Sequence, residues 1–223
     1  MKAMILAAGL GKRLMPLTQH TPKPLIKVGN QSLIERNILL LQQAGISKIL
    51  INVSYLGDMI IDYVSHKFPQ SNISFSQEEK PLGTGGAILN ALPFFDEKPF
   101  LLMNADIFHN IEIKNLPQDP KKAHLVGVPN PNHNISGDFS LKQRIVSIAT
   151  KENDLTWSGI SVINPIIFKE NSFQSNFFNI WDSVLPKYID NEEVTGEISN
   201  KLWIDVGTSK RLELANEMLK EEN

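Results

Sequence analysis

The sequence predicts an α/β protein in three layers, with a mostly parallel β-sheet covered by helices on both faces. Two observations predict this fold: short, largely apolar runs alternate with segments of helical spacing through the first hundred residues, and the run at 100–103 is fully apolar. Such strands are typical of a sheet that is buried on both faces. Ligands bind beyond the carboxyl ends of the strands in these sheets, so the residues after each strand are the first candidates for a site.

The first half of the chain supplies the alternation. Strands are predicted at residues 2–8, 48–53, 73–77 and 100–103, and helices at 32–44, 57–67 and 85–92. The first helix has the clearest limits, because Ser32 is a suitable N-cap, Glu35 its capping-box partner and Gly45 a C-terminal stop.

The second half is less regular and its turns are rich in Asn and Pro. Strands are predicted at 125–128, 144–148, 157–163 and 201–204, and helices at 179–189 and 209–220. No linker, repeat or low-complexity segment separates the halves. We therefore expect a single domain over residues 1–223, with a first half of about 1–105 and a second half of about 106–223.

The composition excludes several classes of protein. Hydrophobic residues make up 42% and charged residues 21% of the 223, and no apolar stretch approaches the length of about 18 that a membrane span needs. The absence of cysteine excludes a disulfide scaffold, a thiolate nucleophile and a Cys-ligated metal site, and is compatible with the cytoplasm. A formal net charge of −2 argues against nucleic acid or an anionic membrane as a partner.

The charge is distributed unevenly along the chain. Residues 1–34 contain five basic and no acidic side chains, whereas the remainder has 17 basic and 24 acidic ones. The five cations are Lys2, Lys12, Arg13, Lys23 and Lys27. They lie among glycines and prolines rather than on a helix face, so we expect this segment to bind anions.

A glycine loop follows the first predicted strand. Gly9 and Gly11 would let backbone N–H groups approach a phosphate, and the neighbouring cations would neutralise it. The dinucleotide-binding fingerprint requires a third glycine where Leu14 stands. A Walker loop requires glycine at Leu6 and a hydroxyl residue at Arg13, so neither common phosphate loop fits.

Two aspartates follow apolar strands. Asp106 comes after the strand at 100–103 and Asp205 after the strand at 201–204, so both are expected at the ligand-bearing rim of one sheet. Magnesium commonly takes one or two protein carboxylates, several waters and the phosphate oxygens of a substrate. The alternative is that either aspartate caps a helix or turn, and a helix is predicted soon after Asp205.

The complete motifs resemble those of a known family. Gly9 to Thr18 reads Gly-x-Gly-x-Arg-Leu-x-Pro-Leu-Thr, and Pro22-Lys-Pro-Leu25 follows. With Pro81–Ile88, Asn104-Ala-Asp106 and Trp203–Thr208, this pattern resembles the sugar-nucleotide-forming nucleotidyltransferases, which join a sugar 1-phosphate to a nucleoside triphosphate. The resemblance runs from Lys2 to about Leu214 and implies a Rossmann-like three-layer fold with a mixed, mostly parallel central sheet.

The resemblance also implies roles for individual residues. Arg13 would hold the outer phosphates, Lys23 the attacking or α-phosphate, and Asp106 and Asp205 a Mg²⁺ ion; these four are the expected catalytic residues. The expected nucleotide-binding residues are Ala8, Gly9, Gly11, Lys12, Arg13 and Lys23, and, bordering the base, Leu82, Gly83 and Thr84.

Among the short members, the chain most resembles those that use UTP and N-acetylmuramate 1-phosphate in peptidoglycan recycling. Gly137-Asp-Phe139, Ser158-Gly-Ile160 and Thr195-Gly-Glu197 carry this likeness. It places Asn104, Asp138 and Gly159 at the sugar, although Asp138 reads equally well as a solvated turn residue. We expect small-molecule substrates and a monomer or small homo-oligomer.

Other functions stay open. Within the class, mannose or glucose 1-phosphate could be used with GTP, dTTP or UTP. Outside it, the chain could be a non-catalytic subunit that binds nucleotide sugars. A dinucleotide-dependent oxidoreductase is weakened as an alternative by Leu14, which stands where the third glycine is required.

Some residues have no assigned role. The lysine of the Glu-Lys-Pro motif in larger relatives is absent here, and Lys151 is the nearest lysine. Gln77 could recognise a pyrimidine base or simply end a strand. The five histidines, which form no metal pair, are expected in loops or on the surface: His20, His66, His109, His124 and His133.

Overall fold

Strands and helices alternate through the first hundred residues of the computed structural model, which describes residues 1–221. The strands of this described part are β1 (Lys2–Leu6), β2 (Lys27–Val28), β3 (Gln31–Ser32), β4 (Lys48–Val53), β5 (Asn72–Gln77), β6 (Phe100–Asn104), β7 (Ile107–His109), β8 (Ala123–Pro129), β9 (Ser140–Lys142), β10 (Ile145–Ser147), β11 (Leu155–Ile163), β12 (Val194–Ile198) and β13 (Trp203–Asp205). Its helices are α1 (Leu33–Gln43), α2 (Gly57–Lys67), α3 (Gly83–Ala91), α4 (Ile166–Lys169), α5 (Ile180–Ser183), α6 (Leu185–Asp190) and α7 (Ser209–Glu221).

Nine strands form a mixed central sheet, and the fold class predicted from the sequence is confirmed. One part of the sheet has the order β5-β4-β1 and is parallel throughout. The other part has the order β6-β11-β8-β12-β10-β9, where β11 runs antiparallel to both neighbours and β12 parallel to β8. The almost continuous burial of β4, β6 and β8 explains why their sequences are apolar runs.

The chain divides into two compact units, which we call unit A and unit B. Unit A comprises Ala3–Pro81, Asn104–Lys114 and the chain from Leu202 onward; unit B comprises Met1–Lys2, Leu82–Met103 and Asn115–Lys201. Unit A therefore contains the basic N-terminal segment from Ala3 together with both motif aspartates. The single domain over residues 1–223 stays a prediction.

Local sequence signals explain the limits of α1. The Ser32 hydroxyl accepts a hydrogen bond from the Glu35 N–H at 3.3 Å, as an N-cap should. The Glu35 carboxylate does not complete a capping box in the expected way, because it accepts the Tyr63 hydroxyl at 2.6 Å and pairs with Lys67 at 3.2 Å. Burial and the neighbouring carboxylate of Glu35 raise the pKa of Tyr63. The contact ties α1 to α2 within unit A.

Three parts of the secondary structure differ from the prediction. The helix expected at 179–189 is broken into α5 and α6 at Val184, whose backbone is not helical, and Pro186 lies in the first turn of the second piece. The elements that were not predicted are the strands β2, β3, β7, β9 and β12 and the short helix α4. His109 and His124 are not surface or loop residues, because they lie on β7 and β8 with 0% and 1% exposure.

None of the helices in the described residues is both long enough and apolar enough to cross a membrane.

Candidate active site

The glycine loop of unit A begins directly after β1. Gly11 adopts φ = +62°, and a Cβ there would lie 2.9 Å from Thr18 Cγ2, so this position requires glycine for both its conformation and its packing. The Thr18 hydroxyl donates to the Gly11 carbonyl at 2.9 Å and fixes the turn. Gly9 differs, since a Cβ there would meet no atom within 4 Å. The backbone at Gly9 is therefore open to a ligand.

A buried asparagine anchors the start of this loop. Asn52 on β4 is 2% exposed, and its Oδ1 accepts a hydrogen bond from the Ala7 N–H at 2.9 Å. Its Nδ2 donates to Glu78 Oε1 at 2.8 Å, and Glu78 is itself only 6% exposed. Because both partners are buried, this network has little access to water and specifies one position for Ala7. The sequence analysis did not identify it, since Asn in an apolar strand is a weak signal.

The expected phosphate-binding cations differ in exposure. Lys12 and Arg13 lie in a short 3₁₀ turn after the glycines and are exposed. Ala8 is half-buried beside them. Lys23 is only 8% exposed and lies in another 3₁₀ turn, Lys23–Leu25, in which Pro22 and Pro24 restrict the backbone. The buried cation is thus fixed by its turn, whereas the other two side chains are accessible from solvent.

Lys23 connects the two motif aspartates. Its Nζ donates to Asp106 Oδ2 and lies 3.7 Å from Asp205 Oδ1. The two carboxylates, far apart in the sequence, therefore converge on one cation in unit A. The side chains of Asp106 and Asp205 are 32% and 22% exposed, which leaves them accessible from solvent.

The prediction that both aspartates lie at the rim of one sheet is wrong for Asp205, whereas Asp106 does follow β6 of the nine-stranded sheet. Asp205 is the last residue of β13, which pairs antiparallel with β7 in a separate two-stranded ribbon and does not belong to the nine-stranded sheet. Asp106 immediately precedes β7, and the Val206 N–H donates to the Asp106 carbonyl at 2.9 Å. The prediction that the two carboxylates lie together is correct, but a local ribbon brings them together.

The donor set suits a hard divalent cation. Two aspartates supply only oxygen ligands, and the shared contact with Lys23 shows that both carboxylates can address one positive centre. Within residues 1–221, no cluster of three or more His, Cys, Asp or Glu side chains could hold a metal ion. Two carboxylates are sufficient for Mg²⁺ only when water and phosphate oxygens complete its coordination, so these residues fit an ion that arrives with a phosphate substrate.

Arg211 is a further cation at this site that the sequence analysis did not identify. It lies in the first turns of α7, its side chain is 12% exposed, and its Nη1 lies 3.2 Å from Asp205 Oδ2. The histidine of the ribbon contributes no charge, because burial and the nearby Arg36 lower the pKa of His109 to about 3. Its Nδ1 accepts the Ile111 N–H at 3.1 Å, which is consistent with a neutral ring.

The second glycine motif lies in unit B at the start of α3. Gly83 has φ = +71°, and a Cβ there would lie 2.5 Å from the Phe178 carbonyl oxygen. The Thr84 hydroxyl accepts the Ile180 N–H at 3.0 Å, and the Leu82 carbonyl accepts the Phe178 N–H at 3.1 Å. Close packing against residues 178–180 therefore accounts for this motif, and nucleotide binding by Leu82, Gly83 and Thr84 stays a prediction.

The residues expected at the sugar lie in different units. Asn104 ends β6 in unit A, where its carbonyl accepts from Asn37 Nδ2 at 3.3 Å. In unit B, Asp138 is not a freely solvated turn residue, because its carboxylate accepts Asn134 Nδ2 at 2.9 Å and the Trp157 N–H at 2.8 Å.

Gly159 is buried in β11 with φ = +78°, at the irregularity between Trp157 and Ser161. The structure thus shows Asp138 and Gly159 at one bulged segment, with Asp138 held to it through Trp157.

Comparison with known proteins shows the family to which the chain belongs. The nucleotidyl transferase family model matches residues 2–134. The chain belongs to the nucleotidyl transferase family, and within it to the sugar-1-phosphate nucleotidyltransferases. The family predicted from the glycine loop and the aspartate motifs is confirmed.

Individual relatives refine this comparison. The chain is 38% identical over 226 residues to an N-acetylmuramate alpha-1-phosphate uridylyltransferase of Neisseria meningitidis serogroup B, covering 96% of each chain. It is 27% identical to a D-glycero-alpha-D-manno-heptose 1-phosphate guanylyltransferase of Campylobacter jejuni, over 93% of this chain and 95% of the relative. A solved structure from Bacillus anthracis, assigned as a glucose-1-phosphate thymidylyltransferase, superposes with a TM-score of 0.86. The match covers 100% of this chain and 96% of that one at 22% identity, so it shows the shared fold.

Proposed function

We propose that the protein transfers a uridylyl group from UTP to N-acetylmuramate 1-phosphate, giving UDP-N-acetylmuramate and pyrophosphate. The convergence of Asp106 and Asp205 on Lys23, next to a glycine loop with an open backbone, is the observation that carries the reaction type. The 38% identity with the meningococcal uridylyltransferase supports the choice of base and sugar.

The reaction requires positioning rather than a nucleophile from the protein. A sugar phosphate is largely dianionic at neutral pH, because its second pKa is about 6. One of its oxygens attacks the α-phosphorus in line, a new P–O bond forms, and the bond from the α-phosphorus to the bridging oxygen breaks as pyrophosphate leaves. The protein must hold two polyanions together and stabilise the charge at the phosphoryl centre.

Each group of unit A has a task in this proposal. The backbone at Gly9 and Gly11 and the side chains of Lys12 and Arg13 bind the triphosphate, and Lys23 binds the attacking or α-phosphate. Asp106 and Asp205 would hold Mg²⁺, which supplies positive charge to the phosphate oxygens when it is bound.

The groups of unit B and Asn104 would select the substrates. Leu82, Gly83 and Thr84 are proposed to border the base, and Asn104, Asp138 and Gly159 the sugar. We place the reaction in the cytoplasm, in peptidoglycan recycling, with the protein acting as a monomer or small homo-oligomer.

A guanylyltransferase acting on a manno-configured sugar 1-phosphate is the second candidate. The guanylyltransferase of Campylobacter jejuni favours this candidate, because the match covers 93% of this chain and 95% of the relative. The base and the sugar can therefore be decided only by turnover.

The decisive experiment is a matrix of triphosphates and sugar 1-phosphates read by pyrophosphate release. UTP, GTP and dTTP would each be combined with N-acetylmuramate, mannose, heptose and glucose 1-phosphates, with Mg²⁺ present. The proposal expects the highest kcat/KM for UTP with N-acetylmuramate 1-phosphate. Preferential turnover of GTP with a manno-configured sugar would refute the specificity, and no turnover of any pair would favour a non-catalytic binding subunit.

The metal assignment has a matched pair of variants. Asp106→Asn removes a proposed ligand, and we expect turnover to fall by at least about 100-fold. Asp62→Asn makes the same charge change at an exposed position of α2 in the same unit and should stay within about twofold of the parent. Normal turnover by Asp106→Asn would show that Asp106 does not hold an essential metal ion.

A further inference from the structure

Two guanidinium groups of unit A converge on a single glycine. A Cβ placed on Gly207 would lie 3.1 Å from Arg13 Nη2 and would overlap Arg211 Nη2. Both Nη2 atoms are therefore within van der Waals reach of one point, although Arg13 and Arg211 are nearly two hundred residues apart in the sequence. Like charges brought this close repel each other unless an anion lies between or beside them.

The guanidinium of Arg211 is only partly satisfied by its protein contacts. Nη1 lies 3.2 Å from Asp205 Oδ2, but neither Nε nor Nη1 has a hydrogen-bond partner in the described part of the chain, although both are buried. Buried donors of this kind are costly unless an acceptor completes them. The carboxylate of Asp205 holds the group near the loop without using its donors.

The charges around this pair favour an anion of high charge. Lys23 and Arg211 contact the carboxylates of Asp106 and Asp205, and Arg13 adds a third cation beside Arg211 at Gly207. The protein therefore has a surplus of positive charge here even without a metal ion. Guanidinium groups present several N–H donors in a planar fork that matches phosphate oxygens, which an ammonium group cannot do.

We propose that Arg211 is a second phosphate-binding residue that acts with Arg13 as a clamp on the two outer phosphates of the triphosphate, and on the pyrophosphate that leaves. This inference rests on the proposed function for the identity of the ligand. The absence of a side chain at Gly207 leaves room for the Arg211 guanidinium, which a Cβ there would displace. The same clamp holds the leaving group, so its strength controls the affinity for pyrophosphate.

The test measures binding of inorganic pyrophosphate to the whole protein by isothermal titration calorimetry, with and without Mg²⁺. We expect Arg211→Met to weaken pyrophosphate binding by on the order of 10- to 100-fold. Lys210→Met is the matched control, because it removes one positive charge from the neighbouring, exposed position of α7 and should change the affinity by less than about twofold.

Two more variants keep the test decisive if Arg211→Met does not fold. Arg211→Lys retains the charge but not the fork and should lose several-fold in affinity. Gly207→Ala retains both arginines but separates them and should also bind pyrophosphate more weakly. Wild-type affinity in both folded variants would overturn the proposal.

Steady-state kinetics separate this role from a purely positioning one. If Arg211 is part of a clamp, its replacement raises the KM for the triphosphate and the inhibition constant of pyrophosphate, and leaves the KM for the sugar phosphate unchanged. An Arg211 that merely orients Asp205 would lower kcat with unchanged pyrophosphate affinity, and this result would overturn the proposal. Pyrophosphate binding needs neither sugar nor turnover, so the binding result can be interpreted even if no pair of substrates in the matrix is turned over. If the parent protein binds no pyrophosphate, that result alone would overturn the clamp.

Discussion

Replacing Asn52 by alanine should destabilise unit A and loosen the glycine loop together. The change leaves the Ala7 N–H buried without its acceptor, at a cost of about 1–3 kcal/mol, and removes a hydrogen bond to the Glu78 carboxylate that is worth about 1.5–3 kcal/mol. We therefore expect the free energy of unfolding to fall by about 3–5 kcal/mol, which corresponds to a decrease of about 10 °C in Tm. Most domains have more stability than this, so the variant should remain folded at 25 °C.

Urea unfolding followed by the fluorescence of the three tryptophans would measure the change. Asn72→Ala is the control, because Asn72 is exposed at the start of the neighbouring strand β5. In the folded protein, the KM for the triphosphate should rise on the order of tenfold, since the loop that begins after Ala7 loses its anchor. If Asn52→Ala stays within 1 kcal/mol of the control, the buried network does not hold the loop.

Three further substitutions test the site and its surroundings. Gly11→Ala should lower the free energy of unfolding by about 1–2 kcal/mol, because it places a Cβ at positive φ against Thr18. Gly9→Ala should leave Tm unchanged and raise the KM for the triphosphate, a combination that a merely structural glycine would not give. His109 is neutral in the folded protein but binds a proton below about pH 6.5 in the unfolded chain. The free energy of unfolding therefore falls as the pH falls, by about 2 kcal/mol at pH 5 from this group. In thermal scans, His109→Asn should therefore lose less stability than the parent between pH 7 and pH 5; equal losses would show that another group dominates.

Much of the architecture could be predicted from local patterns. The strands β1, β4 and β6 are buried apolar runs, and α2 agrees with its predicted limits at both ends. The break between α5 and α6 is hidden in the sequence, because an apolar, helix-like spacing continues across Val184 and Pro186 is tolerated in the first turn of a helix. The short strand β12 contains Gly196 and two polar residues, which weaken its signal as a strand.

The candidate site was predicted in its residues but not in its construction. Motifs identified Lys23, Asp106 and Asp205 because their spacing to the neighbouring glycines and prolines is visible in the sequence. The ribbon that joins the aspartates depends on pairing between β7 and β13, nearly a hundred residues apart, and such pairing leaves no local pattern. Arg211 was missed for a related reason: on a helix surface an arginine is ordinarily a solvated charge, and only the turn at Gly207 brings it to the site.

The ribbon also explains how the two carboxylates keep a fixed relation. Asp205 is paired with Ile107 in the register of β13 and β7, and the next N–H along the chain, from Val206, donates to the Asp106 carbonyl at 2.9 Å. The backbones that carry the two side chains are therefore joined by hydrogen bonds, and the side chains only have to adopt a rotamer. Below them, Phe108 and Val206 belong to a core cluster with exposures of 1% and 0%, which prevents the ribbon from shifting its register without losing buried apolar area. A site that has to bind and release two polyanions in each cycle thus takes its rigidity from backbone pairing and core packing, whereas Lys12 and Arg13 are exposed in the short turn after the glycines.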